Sequence, residues 1–418
     1  MVREISNISN NFHNMRKNNE KTLGDLKFRV SVPNVSAVIA TYNRCPIKYS
    51  INSRNYNPLE WCVYSLIHQK NSPITEIIII DDCSSDHTQN IVRNIMKINK
   101  KCYIKYARND KRLGSPASRN IGIKLTTNNT LLICDDDCIF SDNSVYLNSV
   151  VYFVTKKKEP KCVAMQLPYY ERSNIPNESV PLSSVGKINL CEGTYSTNLK
   201  RFPREYLDKP VMIKEGEFPY SHLFYMPFEI EHLVGIFLAE KNNLEEVGGF
   251  PEYFSWKNAY GEEAELSLKL LEKGKKLFFN PDPKLYVIHM KFGTQKLSNY
   301  INHEYCKIPF KILLKNSNVK NNNTGNRTTP MDWINSKIIS YFVIFLKRDV
   351  NGARKWMDYT YNSFVVNNSS DFIGDHYLDV DKESRRKIWM TAIIEGIKVV
   401  NGLKERSMHI YPIKKGPD

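Results

Sequence analysis

Four consecutive isoleucines at residues 77–80 constrain the fold of this chain more than any other feature. Successive side chains of a β-strand point to opposite faces of its sheet, so an unbroken apolar run predicts a strand buried on both faces. Sheets that are covered on both faces are typical of parallel strands connected by helices. We therefore expect an α/β protein whose central sheet is flanked by helices.

The order of the neighbouring segments supports this fold class. The predicted strands are 35–40, 76–80, 103–107 and 130–134, and the predicted helices between them are 59–68, 88–98 and 115–125. Alternation with short connections is the signature of a doubly wound, mostly parallel sheet. In such a sheet ligands bind beyond the carboxyl ends of the strands, where the connecting loops emerge.

Polar residues concentrate in those loops. They occupy residues 41–44, 81–86 and the triplet Asp135-Asp136-Asp137, each directly after a predicted strand. Adjacent carboxylates repel one another unless a cation compensates them, and two at a strand end can bind one divalent ion such as Mg²⁺. An acidic turn that caps the next helix is the plainer interpretation of the triplet alone. Three polar loops at one edge of one sheet favour a binding site.

The pattern loosens after residue 140. Further predicted elements are a strand at 162–167, an apolar stretch at 229–240, a helix from 260 to 272 ended by Gly274, and strands at 277–280 and 285–289. Helices dominate after about residue 300; one at 338–346 is predicted to be buried, and one at 381–401 is predicted to stop at Gly402. A glycine just past a helix is a common terminator because it adopts positive φ without strain.

Composition limits the partners and the compartment. The 418 residues suffice for two domains or for one large α/β domain with an extension, and 59 basic against 44 acidic residues give a net charge of +15. That excess favours an anionic partner such as a nucleotide or a membrane surface; nucleic acid is not expected, since no recognisable motif accompanies the charge. Nine cysteines without a C-x-x-C pair indicate a reducing compartment. With no signal peptide and no membrane-spanning stretch in the sequence, we expect a cytoplasmic protein, with the inner face of a membrane as the alternative.

Taken in order, the motifs resemble the family-two glycosyltransferases of the GT-A fold, which are inverting enzymes that use nucleotide-sugars. The resemblance extends over residues 35–292. The matching segments are 41–44, 65–69, 76–86, 114–122, 248–250, 261–266 and His289. It implies a nucleotide-sugar donor, most often a UDP-sugar, a carbohydrate or other hydroxyl-bearing acceptor, and Mn²⁺ or Mg²⁺ as cofactor.

The resemblance also implies a role for each residue of the site. The nucleotide-binding residues are Ala40, Tyr42, Arg44, Asp82, Arg119, Asp135 and Asp136. Within that set Asp82 accepts a hydrogen bond from the base, and Asp135 and Asp136 contact ribose and sugar. Asp137 binds the metal, with His289 as an additional ligand. Glu262 and Glu263 form the acidic pair that supplies the catalytic base.

This chain departs from the family pattern at several positions. Glu263 stands where the family more often has aspartate, so the choice of base between Glu262 and Glu263 stays open. Cys83 replaces a glycine, which disfavours positive φ there. The loop 45–58 is longer than usual, and His289 has an ordinary alternative as a hydrogen-bonded structural histidine.

Two other functions were weighed against glycosyl transfer. A sugar nucleotidyltransferase needs a glycine-rich loop after the first strand, and residues 41–44 contain no glycine. A non-catalytic nucleotide- or carbohydrate-binding scaffold has no need of the Asp137, Glu262 and Glu263 carboxylates.

The domain organisation follows from the same patterns. We expect a flexible arm at 1–33, a GT-A domain at 34–295 and a mainly helical extension at 296–418. Within the domain, 34–140 form the nucleotide-binding half and 141–295 the acceptor half. The extension can complete the acceptor site, mediate self-association as a homo-oligomer or contact a membrane peripherally; the sequence leaves these roles open.

Overall fold

The computed structural model describes residues 32–44, 49–51, 54–99, 101–140, 142–171, 227–254, 261–280, 285, 287–289, 330–368 and 380–410. The predicted N-terminal arm up to residue 31 lies outside the described residues, as do residues 172–226 of the predicted acceptor half. Parts of the loop 45–58 and of the C-terminal extension are also outside them.

The strands of the described residues form one large sheet and two small ones. They are β1 (Val35–Thr41), β2 (Tyr49–Ile51), β3 (Arg54–Tyr56), β4 (Ile74–Asp81), β5 (Tyr103–Arg108), β6 (Thr130–Asp135), β7 (Cys138–Phe140), β8 (Cys162–Gln166), β9 (Tyr169–Glu171), β10 (Phe228–Ile230), β11 (Phe237–Glu240), β12 (Lys276–Phe279) and β13 (Val287–His289). The large sheet has eight strands in the order β10-β12-β8-β11-β6-β1-β4-β5. The hairpin β2-β3 and the three-stranded sheet β7-β13-β9 are separate from it.

The large sheet is mostly parallel. Strand β1 pairs in parallel with β4 on one side and with β6 on the other. The antiparallel strands are β11, between β6 and β8, and β10 at the edge. The chain leaves β1 toward β4 and β5 and then returns to β6, so the direction of winding reverses between β1 and β6. In open α/β sheets this switch point creates a crevice beyond the carboxyl ends of the two strands, here at Thr41 and Asp135.

Helices flank the sheet and form most of the C-terminal region. They are α1 (Pro58–Ile67), α2 (Thr88–Ile98), α3 (Ser115–Leu125), α4 (Ser144–Lys158), α5 (Lys241–Glu246), α6 (Glu262–Glu272), α7 (Pro330–Leu346), α8 (Val350–Thr360), a π-helical segment (Tyr361–Val366) and α9 (Lys382–Ile410). The predicted bounds of α2 and α3 are those observed, and α4 was not predicted. Helix α1 begins with a capping box, in which Asn57 accepts from Leu59 N and Glu60 accepts from Asn57 N. The predicted α/β class with a helical C-terminal region is confirmed.

Successive side chains of a central strand pack into two different apolar cores, one on each face of the large sheet. On β1, Ala37 and Ile39 belong to the core that contains α1 and α2, whereas Val38 belongs to the core that contains α6. All four isoleucines of residues 77–80 on β4 are fully buried. The double-sided burial inferred from that run is therefore correct.

A third core lies in the C-terminal helices. Residues of α7, α8, α9 and the π-helical segment pack around Trp356 and Phe342, as predicted for the buried helix at 338–346. Phe254 and two residues of α6, Ala264 and Leu268, belong to the same core. Among the described residues, none of the helices is both long enough and apolar enough to cross a membrane.

Glycine acts differently at the two predicted helix ends. Gly274 has φ +70° directly after α6, as predicted for a terminator. The prediction that a helix stops at Gly402 is wrong, since α9 continues to Ile410. Glycine within a helix costs only about 1 kcal/mol relative to alanine, and burial of Ala392, Ile393 and Val400 of α9 outweighs that cost.

Candidate functional site

The loop after β1 and the aspartate triplet after β6 meet at the switch point. Thr41 Oγ1 donates to Asp136 Oδ2 at 2.6 Å. Arg44 binds the same carboxylate with two hydrogen bonds, Nε to Oδ2 at 2.7 Å and Nη2 to Oδ1 at 2.6 Å. The structure therefore pairs two residues that were both predicted to bind the nucleotide, and it directs the Asp136 carboxylate at the protein.

Burial and charge act in opposite directions on this pair. Burial raises the pKa of Asp136, and the charge of Arg44 only partly offsets that effect. For Arg44, burial is the largest effect and lowers the pKa, but Asp136 and Asp137 together raise it above its usual range. A guanidinium that is always charged is thus fixed beside the triplet.

Asp135 and Asp137 form a second group with His289. Strand β13 pairs antiparallel with β7, and this register places His289 opposite Cys138, directly after the triplet. His289 Nε2 lies 3.2 Å from Asp137 Oδ1 and 3.7 Å from Asp135 Oδ2. Although burial raises it, the pKa of Asp137 is lowered to about 2 by the nearby charges of His289 and Arg44.

The donor atoms of this group suit a divalent cation. One atom from each of Asp135, Asp137 and His289 lies within 4.8 Å of the others, which permits a common ion. Asp137 Oδ1 is buried and makes no hydrogen bond, so an oxygen ligand is available. Two carboxylates with one imidazole fit Mn²⁺ well and Mg²⁺ acceptably. Asp135, which the resemblance assigned to the sugar, thus joins the predicted pair Asp137 and His289.

Arg119 connects the triplet with the distant glutamate pair. Its Nη2 donates to Asp135 Oδ1 at 2.5 Å, and its Nη1 donates to Glu262 Oε1 at 3.0 Å and Glu263 Oε1 at 2.9 Å. The Arg119 guanidinium also lies over the ring of Phe250, 5.2 Å from its centroid. The resemblance assigned Arg119 to the nucleotide; in the structure its hydrogen-bond partners are three carboxylates.

Glu262 and Glu263 occupy the first turn of α6. Carboxylates are stabilised there by the unpaired N–H groups and the positive end of the helix dipole. Burial is the largest effect on both glutamates and raises the pKa of each. The charge of Glu263 raises the pKa of Glu262 further, whereas the charge of Arg119 partly offsets the rise for Glu263. The Glu262 side chain is 5 % exposed and that of Glu263 is 14 % exposed, so Glu263 is the more accessible of the two.

Asp82, which is predicted to bind the nucleobase, holds a loop in place. It accepts hydrogen bonds from Leu113 N at 2.8 Å, Gly114 N at 2.9 Å and Asn109 Nδ2 at 3.0 Å. These bonds position the segment that leads into α3. Oδ1 accepts two of these bonds and Oδ2 accepts one, so Oδ2 can still accept a hydrogen bond from a ligand, because a carboxylate has about four lone-pair sites.

Ala40 and Tyr42 flank Thr41, whose backbone oxygen accepts from Asp82 N at 2.9 Å, and Cys83 follows Asp82 in the chain. Ala40 is the register partner of Asp135 across β1 and β6. The Arg112 guanidinium covers the Tyr42 ring, 4.1 Å from its centroid. Cys83 has φ +62°, so the chain keeps the left-handed turn of the family glycine although a side chain is present.

Gly235 is a site residue for which the sequence analysis assigned no role. A Cβ atom built on Gly235 would lie 3.0 Å from Asp135 Oδ2, so the backbone approaches the carboxylate closely. The residue before Gly235 is held by Gln166, whose Oε1 accepts from Val234 N at 2.6 Å. An isolated glycine within an apolar stretch is the signal that could have identified this contact.

Comparison with known proteins agrees with the motifs. Residues 36–201 match the family model described as glycosyl transferase family 2. This match agrees with the family that the order of the motifs predicted. No curated protein matches the chain.

Several solved glycosyltransferases are distantly similar. Staphylococcus aureus TarS 1–349 with UDP-GlcNAc is 16% identical (TM-score 0.46; 88% of this chain and 81% of that chain covered). GalNAc-T7 with UDP, GalNAc and Mn²⁺ is 16% identical (TM-score 0.45; 83% and 58% covered). The mannosyltransferase PcManGT from Pyrobaculum calidifontis with GDP-Man and Mn²⁺ is 12% identical (TM-score 0.43; 91% and 82% covered). This chain covers 49% of the longer S. aureus TarS structure.

Proposed function

We propose that this protein transfers a sugar from a nucleotide-sugar, in particular a UDP-sugar, to an acceptor hydroxyl by direct, inverting displacement. The observation that carries the proposal is the convergence on Arg119 of Asp135 with Glu262 and Glu263. A candidate metal ligand and a candidate proton acceptor thus bind the two terminal nitrogens of one guanidinium. An inverting transferase needs a cation beside the diphosphate and a base at the acceptor.

The donor side of the proposed site is the switch point between β1 and β6. Asp135, Asp137 and His289 would hold Mn²⁺ or Mg²⁺, which stabilises the charge that develops on a departing nucleoside diphosphate. Arg44 holds Asp136 away from the other two carboxylates and so keeps the triplet in one arrangement. Tyr42 and Asp82 are the proposed contacts to the nucleoside.

Glu263 is the proposed general base. Its side chain is more exposed than that of Glu262, so an acceptor hydroxyl can reach it. The raised pKa of Glu263 makes the carboxylate a stronger base than an ordinary glutamate. Glu263 accepts the hydroxyl proton while the acceptor oxygen attacks the anomeric carbon, and a single displacement needs no covalent enzyme–sugar intermediate.

The proposed domain boundaries stay those of the sequence, with one GT-A domain at 34–295 and a helical extension after it. The third apolar core supports a close association of the two, because Ala264 and Leu268 of α6 pack with the extension. The acceptor is a carbohydrate or another hydroxyl compound.

A panel of nucleotide-sugars tests the proposal. Each donor is added with Mn²⁺, with Mg²⁺ or with a chelator, and both the melting temperature and the release of nucleoside diphosphate are measured. A donor at 100 times its dissociation constant stabilises the native state by about 2.7 kcal/mol, which a melting curve resolves. We expect metal-dependent stabilisation and release with one donor class. The proposal is wrong if every donor leaves both readouts unchanged in the presence of metal.

A further inference from the structure

Glu265 is a buried carboxylate in α6, one turn after the glutamate pair, and its side chain is 0% exposed. Its Oε1 accepts from Tyr253 Oη at 2.6 Å and from Lys347 Nζ at 2.5 Å, and its Oε2 accepts from Arg348 Nη1 at 2.6 Å. Lys347 and Arg348 follow directly after the last residue of α7. We call Tyr253, Glu265, Lys347 and Arg348 the Glu265 clamp.

The Glu265 clamp holds a charged group inside the protein. Burial raises the pKa of Glu265, but the charges of Arg348 and then Lys347, together with their hydrogen bonds, lower it below its usual value. Each cation binds a different oxygen of the buried carboxylate, so the two bonds together restrain its position. Arg348 Nε also donates to Oε1 of Glu272, the last residue of α6, at 2.5 Å.

The clamp is one of several contacts that fix α6 against the C-terminal helices. Ala264 and Leu268 pack into the third apolar core. At the start of the helix, a Cβ atom on Gly261 would lie 3.2 Å from Ser340 Cβ of α7. Because α7 approaches so closely at Gly261 and is bonded again at Glu265, the first turn of α6 has little freedom to tilt.

That first turn carries the proposed base. Glu263 is two residues before Glu265, and its backbone oxygen accepts from Ser267 Oγ at 2.6 Å. Ser267 Oγ in turn accepts from Leu233 N at 2.9 Å, in the segment whose Gly235 lies against Asp135. The orientation of α6 therefore affects both the Glu263 carboxylate and the segment beside the candidate metal ligands.

We propose that Glu265 is a positioning residue, which, held by Lys347 and Arg348 of the C-terminal region, sets the place of the Glu263 carboxylate in the site. This inference rests on the proposed function, in which Glu263 is the base. It assigns the C-terminal helices a part in catalysis, through a contact that does not touch the substrate.

The experiment compares Glu265→Gln with a matched control. Glu395→Gln makes the same change in an exposed pair on α9, where Lys398 Nζ lies 2.7 Å from the carboxylate. Arg348→Lys keeps the charge of the clamp and serves as the conservative variant. For each protein we measure kcat, the KM for the donor at a temperature where the protein is folded, and amide hydrogen exchange over residues 261–268.

We expect Glu265→Gln to lower kcat about tenfold, because a small displacement of a catalytic group costs one to two orders of magnitude in rate. The KM for the donor should change less than about twofold, since the nucleotide contacts are elsewhere. Exchange should accelerate in the first turn of α6. Arg348→Lys should keep most of kcat, and Glu395→Gln should change nothing.

A normal kcat in folded Glu265→Gln, with only the melting temperature lowered, would show that the clamp merely stabilises the fold and would overturn the proposal. If the unsubstituted protein transfers no sugar, the proposed function fails. Hydrogen exchange then decides the inference alone: equal exchange at 261–268 in Glu265→Gln and Glu395→Gln overturns it.

Discussion

Two arginines, the partly exposed Arg44 and the buried Arg119, each bind one member of the aspartate triplet. Arg44 neutralises Asp136, and Arg119 binds Asp135. Asp137 Oδ2 lies 4.0 Å from Arg44 Nη2, and Asp137 Oδ1 lies 3.2 Å from His289 Nε2. Oδ1 is buried and accepts no hydrogen bond. A buried charge requires compensation, so Asp137 is the member of the triplet most suited to bind a cation.

Asp137→Asn tests that role with little change of shape. We expect metal-dependent transfer to fall at least about 100-fold, the usual effect of removing one electrostatic contact to the reacting groups. Stability at neutral pH should fall by about 1–3 kcal/mol, because asparagine loses the charge interactions with His289 and Arg44 that lower the pKa of Asp137. Activity is measured across a Mn²⁺ titration and stability by urea unfolding. Asp142→Asn, in a bridge to Lys70 with 3.2 Å between the charged atoms, is the control. Transfer at the normal rate by Asp137→Asn in the presence of a chelator would contradict the metal role.

Glu263→Gln tests the base and its pH dependence. General base catalysis contributes about 10²–10⁴-fold, so kcat should fall by at least about 100-fold while the KM for the donor changes little. The base acts only when ionised, and burial raises the pKa of Glu263 above its usual value. The rate of the unsubstituted protein should therefore fall as the pH is lowered through this raised pKa. Steady-state rates from pH 4 to 9 measure this limb, which Glu263→Gln should lack. Equal losses of turnover and donor affinity would indicate a structural residue.

At the scale of the elements, two glycines of α9 differ in their surroundings: helix packing limits the side chain at Gly396, whereas only helix propensity acts at Gly402. A Cβ atom on Gly396 would lie 2.6 Å from Phe342 Cδ1, so α9 approaches α7 closely at that point. Gly402 has nothing within 4 Å of the same position. The first glycine is needed for contact between helices, and the second is a residue of low helix propensity in a continuous helix.

The two alanine substitutions should therefore have opposite signs. Gly402→Ala should raise the free energy of unfolding by about 0.5–1 kcal/mol, through helix propensity alone. Gly396→Ala should lower it by about 1–3 kcal/mol, because the added methyl group overpacks the contact with Phe342. Urea denaturation of both variants measures the difference. Loss of stability in Gly402→Ala would mean that α9 does not continue through this residue.

At the scale of the whole molecule, the C-terminal helices share a core with the helix of the candidate base. Trp356 is 2% exposed and packs edge-on against Tyr341, with ring centroids 5.2 Å apart. Phe254, Ala264 and Leu268 belong to the same apolar core. The described C-terminal helices are therefore packed onto the sheet domain through α6.

Trp356→Ala tests whether the two parts unfold together. Deleting a buried aromatic side chain costs about 3–5 kcal/mol, and the whole molecule should lose this stability because the core is shared. Unfolding is followed by far-UV circular dichroism and by hydrogen exchange in β1 and β4, which lie far from the substitution. Met390→Ala, at an exposed position on α9, is the control. Two separate transitions, with exchange in the sheet unchanged, would contradict a shared core.

The sequence by itself determined most elements of the sheet and indicated a kind of chemistry. The isoleucine run and the alternating patterns predicted the parallel strands around β1, because burial on two faces leaves a local signature. The motif order predicted the family that the comparison confirms over residues 36–201. It also named candidate residues for the site, since the residue types that bind cations and accept protons are few.

Only the tertiary structure decided which of those residues meet. Asp135 rather than Asp136 joins His289, and Arg119 contacts Glu262, which is 143 residues away in the chain. Strand register and helix packing set these contacts. They join residues that are distant in the chain, so the local sequence around either residue does not predict them. The same reason applies to Gly402, where burial elsewhere in α9 outweighs the preference of one residue.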